Sequence, residues 1–137
     1  MQLEVLIRTF IDEAFNKGNL SILEDVIHTE YQYLSPDNSQ LKGIGQLTEF
    51  IQAFRKAFPD LNLQIDDLFA SNDRSCTAFT LRGTHEDDFM GIPATKKSVE
   101  VRGMVMSRFK DNKIFEDWEI LDNLSFFQQL GVVPELS

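Results

Sequence analysis

The sequence is poor in several residue types, and each shortage excludes something. It has one cysteine, Cys76, so no disulfide can form within the chain; in mid-strand that residue reads as a small core side chain rather than a nucleophile. Its two histidines, His28 and His85, stand alone, without the ligand spacing of a metal site, so no metal is expected. Basic residues are outnumbered, 13 against 22 acidic ones, and the net charge of −9 argues against nucleic acid or a membrane surface as partner. No run approaches the roughly 18 apolar residues of a membrane-spanning helix. The start, Met1-Gln2-Leu3-Glu4, lacks the basic and apolar regions of a signal peptide, so a cytoplasmic protein is expected. Repeats, low-complexity segments and linkers are missing too, and residues 1–137 read as one domain.

What is present suffices for a core: 42% of the residues are hydrophobic and twelve are Phe. Over residues 2–17, Leu3, Leu6, Ile7, Phe10, Ile11, Ala14 and Phe15 form one face of an amphipathic helix, closed by Gly18. Asn19 can cap a short second helix carrying Leu20, Leu23, Val26 and Ile27, with His28 at its end, where a cation is favoured. Residues 31–34 read as a short strand, and Ser35-Pro36-Asp37-Asn38-Ser39 as a turn. Ile44, Leu47, Ile51, Phe54 and Phe58 then recur at spacings of three and four, Phe50 widens the stripe, and Pro59 stops this third helix. Gly43-Ile44-Gly45 lacks the third glycine and the preceding strand of a nucleotide-binding loop.

After Asp60 the period shortens to two. Leu61, Leu63 and Ile65 alternate with polar residues, and a strand over residues 74–85 carries Thr77, Phe79, Leu81, Gly83 and His85 on its inner face. Asn72 and Asn112 each suit a left-handed position, which predicts three-residue hairpin loops over residues 70–72 and 110–112. The first loop sets Ile65 opposite Thr77, Leu63 opposite Phe79 and Leu61 opposite Leu81. The connection over residues 86–97 has an apolar centre, Phe89-Met90-Gly91-Ile92-Pro93, suited to fold over a cavity mouth. The second loop sets Met106 opposite Glu116, Met104 opposite Trp118 and Arg102 opposite Ile120. Arg108, Ile114 and Asp122 would join these on the inner face. The other face, with Val99, Val101, Gly103, Val105, Phe109, Phe115 and Leu121, is then too apolar for water and predicts a homodimer through the outer sheet face. A helix over residues 124–130, ended by Gly131, would pack Leu124, Phe127 and Leu130 on the body. Helices followed by antiparallel strands make the class α+β.

The chain also carries, in order, Phe58-Pro59-Asp60-Leu61, Leu81-Arg82-Gly83-Thr84-His85 and Gly91-Ile92-Pro93-Ala94-Thr95-Lys96-Lys97. Arg108-Phe109, Lys113-Ile114, Glu116-Asp117-Trp118, Asp122 and Gln128-Gln129-Leu130-Gly131 follow. This ordered set resembles the SnoaL-like polyketide cyclases, also called ester cyclases, from the first helix to Gly131. The resemblance implies a nuclear-transport-factor-2-like (cystatin-like) fold: a curved antiparallel sheet wrapped around N-terminal helices into a cone, an α+β barrel with an internal pocket, usually dimeric. It implies an intramolecular aldol ring closure on a polyketide ester, without metal or organic cofactor. The family's acid/base residue is matched by Asp122, its Gly-Thr-His histidine by His85, and a basic position on the neighbouring strand by Arg108. The chain departs from many relatives at Asp117 and at Leu34-Ser35-Pro36, where they carry histidines.

Asp122 and His85 are thus the expected catalytic pair, with Phe79, Arg102, Met104, Met106, Arg108, Glu116, Trp118 and Ile120 lining the pocket. Beside Trp118 and Ile120, Asp122 would have the desolvated carboxyl that enolate chemistry near neutral pH wants. It also precedes a short helix and can equally be an N-cap, or be held by Arg102 in an ion pair. Glu116 with Arg108 reads as a structural salt bridge. The expected function is cofactor-independent acid/base chemistry, an aldol-type cyclisation or isomerisation, on a small apolar carbonyl-bearing molecule. The alternative is a non-catalytic module of the same fold that binds an apolar ligand or serves assembly.

Overall fold

In the computed structural model, which describes residues 2–36 and 39–133, the first apolar stripe forms helix α1 (Leu3–Thr9) and runs on as a π-helical segment, Phe10–Asn16. Leu6, Ile7, Phe10, Ile11 and Ala14 are buried, and Gly18 follows at a φ of +74°. A short 3-10 turn (Leu20–Ile22) and α2 (Leu23–Val26) lead directly into β1 (Ile27–Leu34). His28 is therefore a strand residue, not a helix end, and its Nε2 lies 3.3 Å from Asp111 Oδ2. Asn19 makes no side-chain cap. Of the turn that follows β1, Asp37 and Asn38 lie outside the described residues. After β2 (Gln40–Lys42) comes α3 (Gly43–Ala57), which buries Leu47, Ile51, Phe54 and Ala57 and is followed by Phe58 and Pro59.

Four long strands then meander: β3 (Asn62–Ser71), β4 (Arg74–Thr84), β5 (Ser98–Lys110) and β6 (Lys113–Leu121). Helix α4 (Asn123–Leu130) closes the described chain and is ended by Gly131 in the left-handed region; it buries Phe126 and Leu130, while Leu124 stays exposed. The six strands form one sheet in the order β2-β1-β6-β5-β4-β3, antiparallel except where β1 lies parallel to β6. The sheet curves around the helices, as the cone of the nuclear-transport-factor-2-like fold requires. One apolar cluster joins the first helix, α2, α3 and β1; a second joins the end of α3 to β4, β5 and α4. Among the described residues no helix is long and apolar enough to cross a membrane.

Both long hairpins differ from the expected register in the same way. Each turns on two residues, with Ser71 paired to Arg74 and Lys110 to Lys113. Asp111 and Asn112 both have positive φ, as a tight primed turn demands. Each hairpin then carries a β-bulge, at Asp66 in β3 and at Phe115 in β6. The net pairing is displaced by two residues: Leu63 faces Leu81, and Met106 faces Trp118. On β4 the inner face is the expected one, with Thr77, Phe79, Leu81, Gly83 and His85 buried.

On β5 and β6 the expected faces are exchanged. Val99, Val101, Ser107 and Phe109 are buried, with Val105 and Leu121 also turned inward. Met104, Met106, Trp118 and Ile120 are on the outer face, the last two 51% and 66% exposed. The apolar face that suggested a dimer is thus the concave wall of the cone itself. The physical reason is Phe115. It is an extra residue in β6, so Ile114 points inward while Glu116 and Trp118 point out.

Candidate active site

Beyond the bulge, β6 presents Asp117, Glu119 and Leu121 to the interior of the cone. They line an inner hollow of about 70 Å³ together with Tyr31 and Tyr33 of β1, Ser107 of β5, and apolar side chains of the first helix, α3, β3 and β4. Its polar atoms come only from the wall made by β1, β5 and β6; the rest is Phe, Leu, Ile and Val. A second hollow of about 150 Å³ adjoins it, sharing Tyr33, Phe50, Phe54, Glu119 and Leu121. Ser35, Ser39, Asn123, Phe127, Phe89 and Met90 help form this outer chamber. The connection between β4 and β5 does cover it. Phe89 packs its ring 5.0 Å from Phe54 and 5.7 Å from Phe126. A tight turn through Met90 and Gly91, both at positive φ, pairs Phe89 with Ile92.

The two carboxylates differ in surroundings. Asp117 is 5% exposed, and both of its oxygens are engaged: Tyr31 donates to Oδ2 at 2.7 Å and Ser107 to Oδ1 at 2.5 Å. Burial raises its pKa to about 6, against the two hydroxyl donors, which favour the anion; the charge of Glu116 adds to the rise. Glu119 is half-buried and accepts one hydroxyl, from Tyr33 to Oε1 at 2.8 Å. Its Oε2 has no hydrogen-bond partner among the described residues. Burial raises its pKa to about 7, the Tyr33 donor opposes this, and the charge of Asp117 adds to it. The Tyr31 phenol is pushed well above its ordinary value, by burial first and by Asp117 second. Among the described residues no Lys, Arg or His lines either hollow.

The residues expected to form the site are placed elsewhere, with one exception. Phe79 does line the inner hollow. Asp122 is exposed and caps α4, accepting from the Ser125 amide at 3.1 Å. Its link to Arg102 is through the backbone, Asp122 N–H donating to the Arg102 carbonyl at 3.1 Å; among the described residues no ion pair joins the two. Arg102, Met104, Ile120 and Asp122 border an open groove on the outer face of the sheet. Arg108 and Glu116 do pair, loosely at 4.0 Å, but on that outer face, where Glu116 also accepts from Trp118 Nε1 at 2.8 Å. Trp118 and Arg108 are therefore not pocket donors, and Met106 is not pocket wall.

His85 is fully buried but lines neither hollow. Its ring stacks on Phe58 at 5.3 Å, and its Nδ1 accepts from the Thr95 amide at 3.2 Å, which fastens the covering connection to the end of β4. Among the described residues its Nε2 is buried without a partner, as are the hydroxyls of Ser75 and Thr77. Among the described residues no group of three or more His, Cys, Asp or Glu could hold a metal ion.

The SnoaL-like polyketide cyclase family model matches residues 5–130. Among solved structures the chain is similar to IdmH of Streptomyces antibioticus, a candidate polyketide cyclase. They share 30% identity over 96% of this chain and 100% of that one, with a TM-score of 0.83. TsrD of Streptomyces laurentii is 26% identical, with 96% of each chain covered and a TM-score of 0.87. AclR of Streptomyces galilaeus, a candidate hydroxylase, shares the fold at 24% identity and a TM-score of 0.85, covering 98% of this chain and 88% of that one. Among curated proteins none matches the sequence.

Proposed function

We propose, for a chain that belongs to the SnoaL-like polyketide cyclase family, that it closes or isomerises a small, uncharged, carbonyl-bearing substrate by proton transfer at carbon, with Glu119 as the acid/base. The observation that carries this reading is the place of the Glu119 carboxyl at the junction of two apolar hollows, with one oxygen that no described residue pairs; burial there raises its pKa to about 7. Glu119 takes a proton from a carbon flanked by two carbonyls. The enolate carbon attacks a second carbonyl of the same molecule, forming a C–C bond, and the new alkoxide recovers the proton from Glu119. No atoms are gained or lost. Each unit of pKa mismatch between base and carbon acid costs about 1.4 kcal/mol, so raising a carboxyl from its usual range to 7 removes about 3 kcal/mol of it. Tyr33 orients the carboxyl, leaving Oε2 for the substrate. Asn123 supplies an amide donor at the outer chamber. The covering connection sheds water from the enolate.

The test is solvent-deuterium incorporation into an aryl β-keto ester such as ethyl benzoylacetate, followed by NMR above the buffer rate. Glu119→Gln should lower the catalysed rate by at least about 100-fold while retaining a thermal shift with the same ester. Asp122→Ala, whose side chain lines neither hollow, should keep the rate. Full activity in Glu119→Gln would remove the assignment. The alternative, a binding module without chemistry, draws support from the small inner hollow of about 70 Å³; it expects the thermal shift and no exchange.

We also infer that two copies associate through the outer sheet face, now on different residues. Met104 lies beside Ile120, and Met106 beside Trp118, in a row that continues through Cys76 to the exposed Phe69. Arg102 and Arg108 flank this patch together with Glu116 and Asp122, so a two-fold axis can set each charge against its opposite.

A further inference from the structure

Asp117 and Glu119 sit two residues apart on one face of β6, and their hydrogen bonds are unequal. Asp117 holds two hydroxyl donors, Tyr31 and Ser107; Glu119 holds only Tyr33. Ser107 is the cross-strand partner of Asp117, and Tyr31 reaches it from β1, so the donors come from both sides of β6. A carboxyl with two donors gives up its proton more readily than one with a single donor in a comparable site. Asp117 is thus the first of the pair to ionise, and its charge then falls on its neighbour.

The titratable groups facing Glu119 are Tyr33 and Tyr31 from β1 and Asp117 from β6. The side chains of α1, α3, β3, β4 and β5 that line the hollows are uncharged, and Glu116 acts from the far face of the sheet. Among the described residues no cation lines either hollow to cancel the charge of Asp117.

Resting on the acid/base role of Glu119, we propose that Asp117 is its positioning residue: the anion held by Tyr31 and Ser107 keeps on Glu119 a proton that Glu119 alone would release. The unit is a pair of carboxyls sharing one proton, with the donors deciding which of them keeps it. Tyr31 and Ser107 then influence catalysis without touching the substrate's reacting atoms. The signs are distinctive. Removing a donor from Asp117 lets Asp117 retain its own proton, lose its charge, and release Glu119. Removing Tyr33 takes a donor from Glu119 itself and acts the other way.

The experiment is a side-chain carboxyl ¹³C NMR titration of the full chain, with the Glu119 signal assigned by its loss in Glu119→Gln. In Asp117→Asn the Glu119 midpoint should fall by about one pH unit. Ser107→Ala and Tyr31→Phe should lower it as well, and Tyr33→Phe should raise it. Should Asp117→Asn fail to fold, the two donor variants decide alone. An unmoved or raised Glu119 midpoint in folded Asp117→Asn, or in both donor variants, overturns the proposal, because a merely structural role would change stability without this order of signs. The titration needs no turnover. Were Glu119 to titrate as expected and Glu119→Gln remain active, only the catalytic reading would fall.

Discussion

A buried carboxyl that resists ionisation makes the fold weaker as pH rises, and Asp117 sets the size of that effect. Its pKa stands at 3.8 in an unstructured chain and about 6 in the fold. The folded state therefore binds more protons between these values, and the unfolding free energy falls with pH across that window. The stability tied to the protonated group is complete below about pH 4 and is lost as pH rises through 6. A rise of about two pH units, at about 1.4 kcal/mol each, is about 3 kcal/mol. Asn at this position can still meet Tyr31 and Ser107, since a serine hydroxyl accepts as well as donates, and it carries no charge to desolvate. Urea unfolding of the wild type and Asp117→Asn, from pH 4.5 to 8, isolates the effect. Repulsion among the exposed acidic groups weakens both proteins alike and cancels in the difference, whereas the fall in the Glu119 midpoint proposed for the variant adds to its gain. The Asp60 carboxyl, held below its usual value chiefly by the Thr84 amide, acts at lower pH and with opposite sign, so the range starts above it. Relative to wild type, the variant should gain about 2 kcal/mol between the ends of the range, or roughly 6 °C in Tm, because pH 4.5 already lies above the unfolded-state value of 3.8. Parallel curves, or a variant that loses ground as pH rises, would show that burial does not govern Asp117.

Two further outcomes follow from side chains on either face of the sheet. A methyl group at Gly103 would lie 2.6 Å from Phe79 Cζ and 3.0 Å from both Leu121 Cδ1 and the Ile120 carbonyl. Gly103→Ala should therefore cost about 1–3 kcal/mol in urea unfolding, and an unchanged midpoint would mean that the wall of the hollow yields freely. Ile120→Glu, on the exposed patch, should convert a dimer to a monomer in light scattering without loss of the fold; a wild-type monomer at micromolar concentration would remove the inferred association.

The fold was legible because its signals are local and redundant. The stripe through Ile44, Leu47, Ile51 and Phe54 could only be a helix with one buried side, and the alternation through Thr77, Phe79 and Leu81 gave β4 its inner face. The candidate site was not, although Asp117 and Glu119 are alternate residues of one strand. Ile114, Trp118 and Ile120 read as one apolar face at a period of two, but the bulge lies between the first and the other two. The contrary signal was on the neighbouring strand. A face made of Val99, Val101, Val105 and Phe109 is what a core wall looks like, and this chain's own helices cover it without a second molecule. Loop length failed for a related reason: an Asn at positive φ serves a two-residue turn as well as a three-residue one. Asp122 stands directly before a helix, where the cap it makes is sufficient cause for an acidic residue.

Phe115 itself takes no part in the chemistry. Its ring lies outside the hollows, edge-on to His28 at 5.2 Å and beneath the Lys110 ammonium, also at 5.2 Å. Yet a strand in a one-sided sheet is read like a frame, in steps of two, and Phe115 is the single insertion that sets the frame for everything after it. Delete it and the downstream letters remain while their meaning inverts: Glu116, Trp118 and Ile120 would enter the cone, and Asp117 and Glu119 would be turned out to water. A length change of one residue between the β5–β6 turn and Asp117 is thus a frameshift in space, able to replace this wall of the hollow without altering any of its residues.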